Sequence, residues 1–426
     1  MNASYIIRNP SLSGRGVRNL IFHGSFRRLA GVCLMYLVII EAAVFGSGQM
    51  LHAGPLTFKM LLFGFSMLYV AVALTCGERI GWTTLLLESA YLLSIVVASL
   101  IGILRSATTE HLIVDINPLL SFLLLPFFEL TIQSYRQVVN VARVMMIAPL
   151  AIVAAYLGIM LSLWTGRVHY ADLADWLGTL GNGDFMFDES MGRVFYKGAI
   201  YLGIALFFFL FHRRSAAKIG AMFMILNLAV IGTRGFFLAL FLTGVLYVFI
   251  GPIKTPKKIS LLLPLILAGV ILLPKVFMLA GNRGESDLER VVTVRQVLDR
   301  TNVLTVIGGN GFGIGVPERP EHMEIVYLEI LYKQGLIGMC WWGTLFAVLV
   351  IRFYNSLVRG NSRLAYPFFL GCAFVAFESF TNPFIDNPIG MTFVTISLAC
   401  LNVLGVTDNR TNPISSTFHN VKILPD

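Results

Sequence analysis

The chain has 426 residues, of which 57% are hydrophobic and only 13% charged, whereas soluble proteins typically carry about 25% charged residues. This composition, with a mean hydropathy of +0.78, excludes a soluble globular protein and indicates an integral membrane protein. The net charge of +9 lies in short basic segments between apolar runs, as membrane topology requires, so it does not point to a nucleic-acid partner.

Residues 1–28 are polar and basic and lack a small-residue cleavage site, which favours a cytoplasmic tail over a signal peptide. The five cysteines each lie inside an apolar run, and none forms a C-x-x-C pair. That pattern is typical of packing residues rather than of disulfides or metal ligands. These cysteines are Cys33, Cys76, Cys340, Cys372 and Cys400.

Apolar runs of membrane-spanning length follow one another along most of the chain. A helix needs about 17–25 mainly apolar residues to cross a bilayer, and on that measure we predict an all-α polytopic fold with about twelve spans. The seventh and eighth spans share the run 219–251, which is too long for one straight span and has a natural break at 232–235. The predicted spans are 29–46, 56–76, 82–104, 112–132, 141–164, 194–211, 216–232, 234–251, 259–280, 335–352, 365–382 and 388–405.

The distribution of Lys and Arg predicts the orientation, because cytoplasmic segments are the richer in these residues. The short segments 47–55 and 383–387 contain neither residue and are predicted to face outward. With both termini cytoplasmic, the two large outer segments are 165–193 and 281–334. The predicted organisation is a basic tail 1–28, the first nine helices in 29–280, a large outer loop with short helices in 281–334, the last three helices in 335–405, and a cytoplasmic tail 406–426.

Arg234 stands at a predicted helix start on the outer face, flanked by Gly232 and Gly235. A guanidinium presents its donors in a fixed fork that suits phosphate oxygens, and the glycines leave room for a ligand. The alternative is an interfacial arginine whose charge simply reaches the membrane surface.

The segment from Ser286 to Arg300 predicts a short amphipathic helix on the outer surface. Ser286 and Glu289 have the spacing of a capping box. Arg290 and Arg295 point about 140° apart around such a helix, so they are not expected to bind one phosphate from the same face. Arg295 shares a side with apolar residues and is expected to face the protein. The alternative for both arginines is weak surface ion pairing.

The run Gly308–Gly315 contains five glycines and follows the strand-like residues 303–307. A dinucleotide-binding fingerprint would require a βαβ unit and a later acidic residue, and the sequence provides neither. The run therefore predicts a tight loop that lets backbone approach a ligand, or simply a turn.

His322 and Glu324 lie just before the next predicted span. They are the nearby groups able to accept a proton from a hydroxyl at neutral pH after a modest environmental shift. The alternative is an ordinary polar approach to a membrane helix. No metal is predicted, because Asp287-x-Glu289 is a weak pair and no His/Cys constellation exists.

Acidic residues inside predicted spans keep a proton-coupled carrier open as an alternative, since intramembrane carboxylates default to functional or paired roles. They are Glu41, Glu88 and Glu378.

The motif Gly232-Thr233-Arg234-Gly235 resembles the Ser-Arg-Gly signature of the bacterial O-antigen ligase and polymerase family. Arg290, the glycine turn 307–313 and Tyr327-Leu328-Glu329-Ile330-Leu331 ahead of Gly335 are similar to that family's large periplasmic loop and following helix. The resemblance covers roughly residues 226–350.

The resemblance implies a glycosyltransferase that needs neither metal nor cofactor and takes a glycan from an undecaprenyl-pyrophosphate carrier. Arg234 and Arg290 would bind the pyrophosphate and stabilise its charge as it departs, with Arg295 as a further pyrophosphate-binding candidate. Such a protein would lie in the bacterial inner membrane with a periplasmic active site. Its partners would be the lipid-linked oligosaccharide, the bilayer, a flippase and chain-length regulators.

The chain departs from the ligase pattern, which has His-Asn just before the Tyr-Leu pair. The position of that histidine falls on Glu324, while His322 lies two residues earlier, so either residue is the candidate catalytic base. The departure favours a polymerase of O-antigen or exopolysaccharide repeat units over a ligase acting on lipid A-core. A flippase for lipid-linked sugars remains the alternative from another class, although transporters usually place polar groups at the midplane in repeated halves.

Overall fold

The computed structural model describes residues 14–46, 52–53, 56–180, 184–188, 193–279 and 284–407. The predicted tail residues 1–13 and 408–426, and the loop residues 281–283, lie outside this described part. The described chain is predominantly helical. Its helices are α1 (Gly14–Phe45), α2 (Phe58–Thr75), α3 (Trp82–Leu104), α4 (Thr109–Leu119), α5 (Leu125–Thr131), α6 (Tyr135–Trp164), α7 (Tyr170–Leu180), α8 (Ile200–Leu210), α9 (Ser215–Ile231), α10 (Arg234–Ile250), α11 (Thr255–Leu279), α12 (Gly284–Arg300), α13 (Val303–Gly308), α14 (Val326–Val358), α15 (Ser362–Glu378) and α16 (Pro388–Val406).

Seven helical segments of the described chain are long and apolar enough to cross a membrane, which supports the predicted polytopic membrane fold. They are Phe26–Phe45, Phe58–Thr75, Trp82–Leu104, Thr109–Thr131, Tyr135–Trp164, Val326–Val358 and Pro388–Val406. Shorter apolar helices are Lys197–Leu210, Ser215–Ile231 and Arg234–Ile250.

Within the described residues, two pairs of short antiparallel strands depart from the predicted all-α fold. Strands β1 (His52–Ala53) and β2 (Leu56–Thr57) pair antiparallel, as do β3 (Phe185–Asp188) and β4 (Arg193–Tyr196). The predicted span 194–211 therefore begins as a strand, and its α-helix starts only at Ile200. Aromatic and β-branched side chains favour strands, and the stacked rings of Phe185 and Tyr196, 5.0 Å apart, join β3 and β4.

The predicted break in the run 219–251 is present. Helix α9 ends at Ile231, Gly232 adopts a left-handed conformation with φ 67°, and α10 begins at Arg234. A residue without Cβ takes this conformation at little cost and commonly ends helices. Because of this break, Arg234 lies at the first position of α10 and not in the middle of one long apolar helix.

Helix α16 lies at the centre of the core. In the most apolar stretch of α16, 78% of the residues are buried, whereas in that of α2 only 17% are buried. Helix α16 packs against α14 and α15. The exposed apolar side chains of α2 and α3 suit contact with lipid, because a helix that is apolar on every side belongs either in a core or in a membrane. The first turns of α10 and α14 and the last turn of α15 meet at one end of the bundle, which we call the loop end.

The residues 303–307 form helix α13 and not the predicted strand. The side chain of Asn302 accepts a hydrogen bond from the Thr305 amide, and the Thr305 hydroxyl accepts one from the Asn302 amide at 2.8 Å. This reciprocal cap satisfies two amides at the helix start and outweighs the strand preference of the β-branched residues.

The helix predicted from Ser286 to Arg300 is present as α12, but it begins at Gly284. Ser286 therefore lies within the first turn, so the predicted capping box does not mark the start of the helix. Glu289 instead binds Arg319, at 2.6 Å.

Candidate active site at the loop end

A chain of ion pairs links α10, α12 and the segment before α14. Arg234 lies 3.4 Å from Asp287, whose other oxygen lies 3.1 Å from Arg290. The Nε of Arg290 donates to Glu324 at 2.6 Å, and Arg319 donates to Glu324 at 2.9 Å. We call Arg234, Asp287, Glu289, Arg290, Arg319 and Glu324 the arginine network. It brings together Arg234 and Arg290, the two arginines singled out from sequence.

The position of Arg234 follows from local packing. A Cβ on Gly235 would lie 2.5 Å from the Glu378 carboxylate and 2.4 Å from the Thr381 hydroxyl, so glycine is required for α10 to start against the end of α15. Glu378 itself is fully buried and accepts from Asn382 at 2.6 Å. The positive end of the α10 dipole adds to the attraction that Arg234 offers to an anion.

Arg295 does not take the position expected from sequence. It is exposed, and Val291 and Leu298 on the same side of α12 are exposed as well. The side of α12 that packs on the protein carries the buried Thr293 and Val297, and Val297 contacts an apolar cluster with Met323. The expectation that Arg295 faces the protein is therefore wrong, because tertiary contacts selected the other side of the helix.

A second set of charges lies deeper at the loop end. The Nζ of Lys333 donates to Asp115 at 2.7 Å and to Glu329 at 2.6 Å, and all three side chains are almost completely buried. The Nδ1 of His322 lies 3.4 Å from Glu329 and 3.8 Å from Asp115. We call Asp115, His322, Glu329 and Lys333 the lysine cluster.

The glycine run places Lys333. The amides of Asn310 and Gly311 donate to the carbonyls of Tyr332 and Lys333 at 2.7 and 2.9 Å. A Cβ on Gly309 would lie 2.2 Å from the Lys333 carbonyl. Gly335 interrupts α14 with φ 66°, which frees those carbonyls from helical bonding. The glycines thus allow the backbone of the loop to approach helix α14 closely, whereas the sequence predicts a close approach to a ligand or simply a turn.

The same loop is tied to the first half of the chain. The amide of Phe312 donates to the Ala98 carbonyl at 3.0 Å, and the amide of Gly313 donates to Asp115 at 2.7 Å. A Cβ on Gly311 would lie 2.2 Å from the amide nitrogen of Gly102. Asp115 therefore fixes both the loop before His322 and the ammonium of Lys333.

The ring of His322 faces Asp115 and Glu329 on one side, and 40% of the side chain is exposed to solvent. Burial disfavours its charged form, but the hydrogen bond and negative charge of Glu329, with a further contribution from Asp115, raise its pKa above 6.5 despite the opposing charge of Lys333. Asp386, in the loop between α15 and α16, also faces this cluster. Burial, with the negative charge of Glu329, raises the pKa of Asp386 to about 7.

The two candidate bases differ in their environment. Both carboxylate oxygens of Glu324 accept hydrogen bonds from guanidinium groups, those of Arg290 and Arg319. The imidazole of His322 instead faces a carboxylate, an arrangement that orients the ring and strengthens it as a proton acceptor. Of the two side chains, His322 is therefore the one with a ring nitrogen suited to accept a proton, while Glu324 holds Arg290 and Arg319.

Asp115, His322 and Glu329 place their ligand atoms within 4.8 Å of one another, a spacing that a metal ion could use. The Lys333 ammonium already binds both carboxylates. It supplies a positive charge to both buried carboxylates and occupies the space between them where such an ion would sit.

Sequence reasoning missed Asp115, Glu329, Lys333 and Asp386. Glu329 and Lys333 stand four residues apart, the spacing at which side chains meet on a helix, and Asp115 is an acid inside an apolar span. These two signals identify paired residues but not their mutual contact, which joins positions 218 residues apart. Comparisons with protein-family models, curated proteins and solved structures find no match to the chain.

Proposed function

We propose that this protein is a polymerase of undecaprenyl-pyrophosphate-linked oligosaccharide repeat units, of the O-antigen or exopolysaccharide type. It would span the bacterial inner membrane about twelve times, with both termini in the cytoplasm and the loop end in the periplasm. The observation that supports the proposal most strongly is the pairing of Arg234 and Arg290 through Asp287. His322, whose ring faces the Glu329 carboxylate, precedes by two residues Glu324, the carboxylate that binds Arg290.

The arginine network is suited to a multivalent anion. The side chains of Arg234 and Arg290 are 24% and 29% exposed, so part of each guanidinium side chain reaches the surface. The Asp287 carboxylate, which is 55% exposed, lies between them and marks where an anion can sit. A pyrophosphate carries more charge and more acceptor oxygens than one carboxylate, so it would replace Asp287 and bind both forks.

The proposed reaction uses five side chains of the protein. The acceptor hydroxyl attacks the anomeric carbon of the donor sugar and loses its proton to His322, while the bond between that carbon and the pyrophosphate oxygen breaks. Arg234 and Arg290 stabilise the negative charge that develops on the departing pyrophosphate. Glu329 stabilises the imidazolium as it forms, and Glu324 holds Arg290 in place.

The proposal is tested by Arg290→Ala and Arg234→Ala in cells that lack the native protein. Removing one such donor typically lowers turnover about 10²–10³-fold, so surface polysaccharide should shorten to single repeat units at normal protein levels. Persistence of long chains at the wild-type level would refute the proposal.

The carrier-bound glycan separates the alternatives. A disabled polymerase leaves single repeat units on the carrier at the periplasmic face. A disabled ligase would instead leave long chains on the carrier, and a disabled flippase would leave single units on the cytoplasmic face. Arg295→Ala is the matched control, since its side chain is exposed on the side of α12 away from the network, and it should retain wild-type chain lengths.

A further inference from the structure

Helices α12 and α13 expose apolar side chains although both lie in the loop between membrane-spanning segments. On α12 the exposed residues form a stripe, with Leu288 63%, Val291 65% and Leu298 66% exposed. At 100° per residue, these positions fall within about 80° of one another. Large apolar residues grouped on one face indicate an interaction surface.

Helix α13, which begins three residues after the end of α12, also exposes large apolar side chains. Val303 is 76% exposed and Leu304 79% exposed, and Ile307 lies one turn later on the same helix. Together with the α12 residues, these side chains form what we call the apolar stripe. It consists of Leu288, Val291, Leu298, Val303, Leu304 and Ile307.

The apolar stripe is continuous with a surface that must face lipid. Gly308, at the end of α13, adjoins the Ile101 side chain of α3, and the loop that follows is hydrogen-bonded to the carbonyl of Ala98. The neighbouring α3 residues Ile103 and Leu104 are 57% and 85% exposed. Because α3 is of membrane-crossing length and composition, those side chains are in contact with acyl chains or lie at their edge.

The opposite side of α12 packs against the protein. Arg290 and Glu289 contribute to the arginine network, and the side chain of Gln296 accepts a hydrogen bond from the Glu318 amide at 3.0 Å. Arg295 lies on the same side of α12 as the exposed apolar residues, and Arg300 lies at the end of the helix. Long basic side chains beside apolar residues place their charge among lipid phosphates while their stems stay in the apolar layer.

We propose that α12 and α13 lie in the headgroup region of the outer bilayer leaflet, with the apolar stripe inserted among the upper acyl chains and Arg295 at the level of the phosphates. The occupant of this surface is lipid, and the inference does not depend on the proposed reaction. Its consequence is that the arginine network is held at phosphate depth by the membrane itself.

Fluorescence quenching in lipid nanodiscs tests the placement. A variant with all five cysteines replaced by alanine receives one new cysteine, as Leu298→Cys or Leu304→Cys, labelled with an environment-sensitive fluorophore. Glu318→Cys is the matched control, because this side chain is exposed in the same loop. Each labelled protein is accepted only if it elutes as a single species with the retention of the unlabelled chain.

We expect a nitroxide placed near the headgroup end of the acyl chain to quench the label at positions 298 and 304 severalfold more than at 318. Aqueous iodide should show the reverse order. Equal iodide quenching at all three positions would overturn the proposal. Protection of 298 and 304 from both quenchers would overturn it as well, since a protein partner or a second copy would then cover the stripe.

Discussion

The arginine network and the lysine cluster are both built from ion pairs at the loop end, yet they differ in burial. Side chains of the network are 24–55% exposed, whereas Asp115, Glu329 and Lys333 are 2–7% exposed. Exposed pairs contribute about 0–1 kcal/mol because water and salt screen them. Breaking a buried pair leaves an uncompensated charge and costs about 3–5 kcal/mol.

This difference in burial suits the arginine network and the lysine cluster to different roles. The network can exchange Asp287 for a bound anion at little cost, since its members keep contact with water. The lysine cluster cannot exchange partners, and it fixes the loop before α14 and the ring of His322. One region therefore suits the binding of an anion, and the other suits the support of the proposed base, His322.

The largest effect is expected for Lys333→Met. It leaves two carboxylates facing each other without their ammonium, and the free energy of unfolding should fall by about 3–5 kcal/mol. Thermal unfolding of the purified protein in detergent measures the loss. An unfolding temperature equal to that of the wild type would show that the cluster is not a structural unit.

A triple variant provides the control for that experiment. Lys333→Met combined with Asp115→Asn and Glu329→Gln removes the charges together, and most of the lost stability should return because no buried charge is left unpaired. If the triple variant is as unstable as Lys333→Met alone, packing and not charge explains the loss.

The next effect concerns activity. His322→Ala should lower the polymerisation rate about 10²–10⁴-fold, the usual contribution of a general base, whereas Glu324→Gln should cause a smaller loss by loosening Arg290. Both rates are measured with purified protein and lipid-linked repeat units. A larger loss for Glu324→Gln would reverse the assignment of the base.

The pH dependence sharpens this assignment. A base must be neutral to act, and the pKa of His322 is raised above 6.5, so the rate should rise with pH through that higher value. Glu329→Gln removes the negative charge that raises the pKa, and the inflection should move to lower pH. The contribution of His322 to the free energy of unfolding changes with pH in the opposite direction to the rate. It is present below pH 6.5 and is lost as the pH rises through the raised pKa. A rate profile unchanged by Glu329→Gln would contradict the pairing.

The smallest effect is expected for Glu289→Gln. Its pair with Arg319 is 2.6 Å long, but the side chain is 45% exposed, so the free energy of unfolding should change by less than about 1 kcal/mol. Chemical denaturation measures this change, with Glu318→Gln as an exposed control. A loss comparable to that of Lys333→Met would mean that the network is as rigid as the cluster.

Several features of the candidate site could be predicted from the local sequence. Gly232 and Arg234 identified the break between α9 and α10, since a glycine that interrupts an apolar run ends a helix by its own backbone freedom. The helix carrying Arg290 followed from its pattern, but the side it buries did not. Arg295 was placed wrongly because a short helix with apolar residues on more than one side gives no preference until its neighbours are known.

The sequence by itself determined that this is a helical membrane protein, because bilayer-length apolar runs and the positions of glycine and charge act over a few residues each. It also singled out Arg234, Arg290, His322 and Glu324 as candidate site residues. Only the tertiary structure decided that Arg234 and Arg290 share Asp287 and that Asp115 reaches Lys333. Such contacts join distant segments, and their selection depends on the packing of whole helices and not on local pattern.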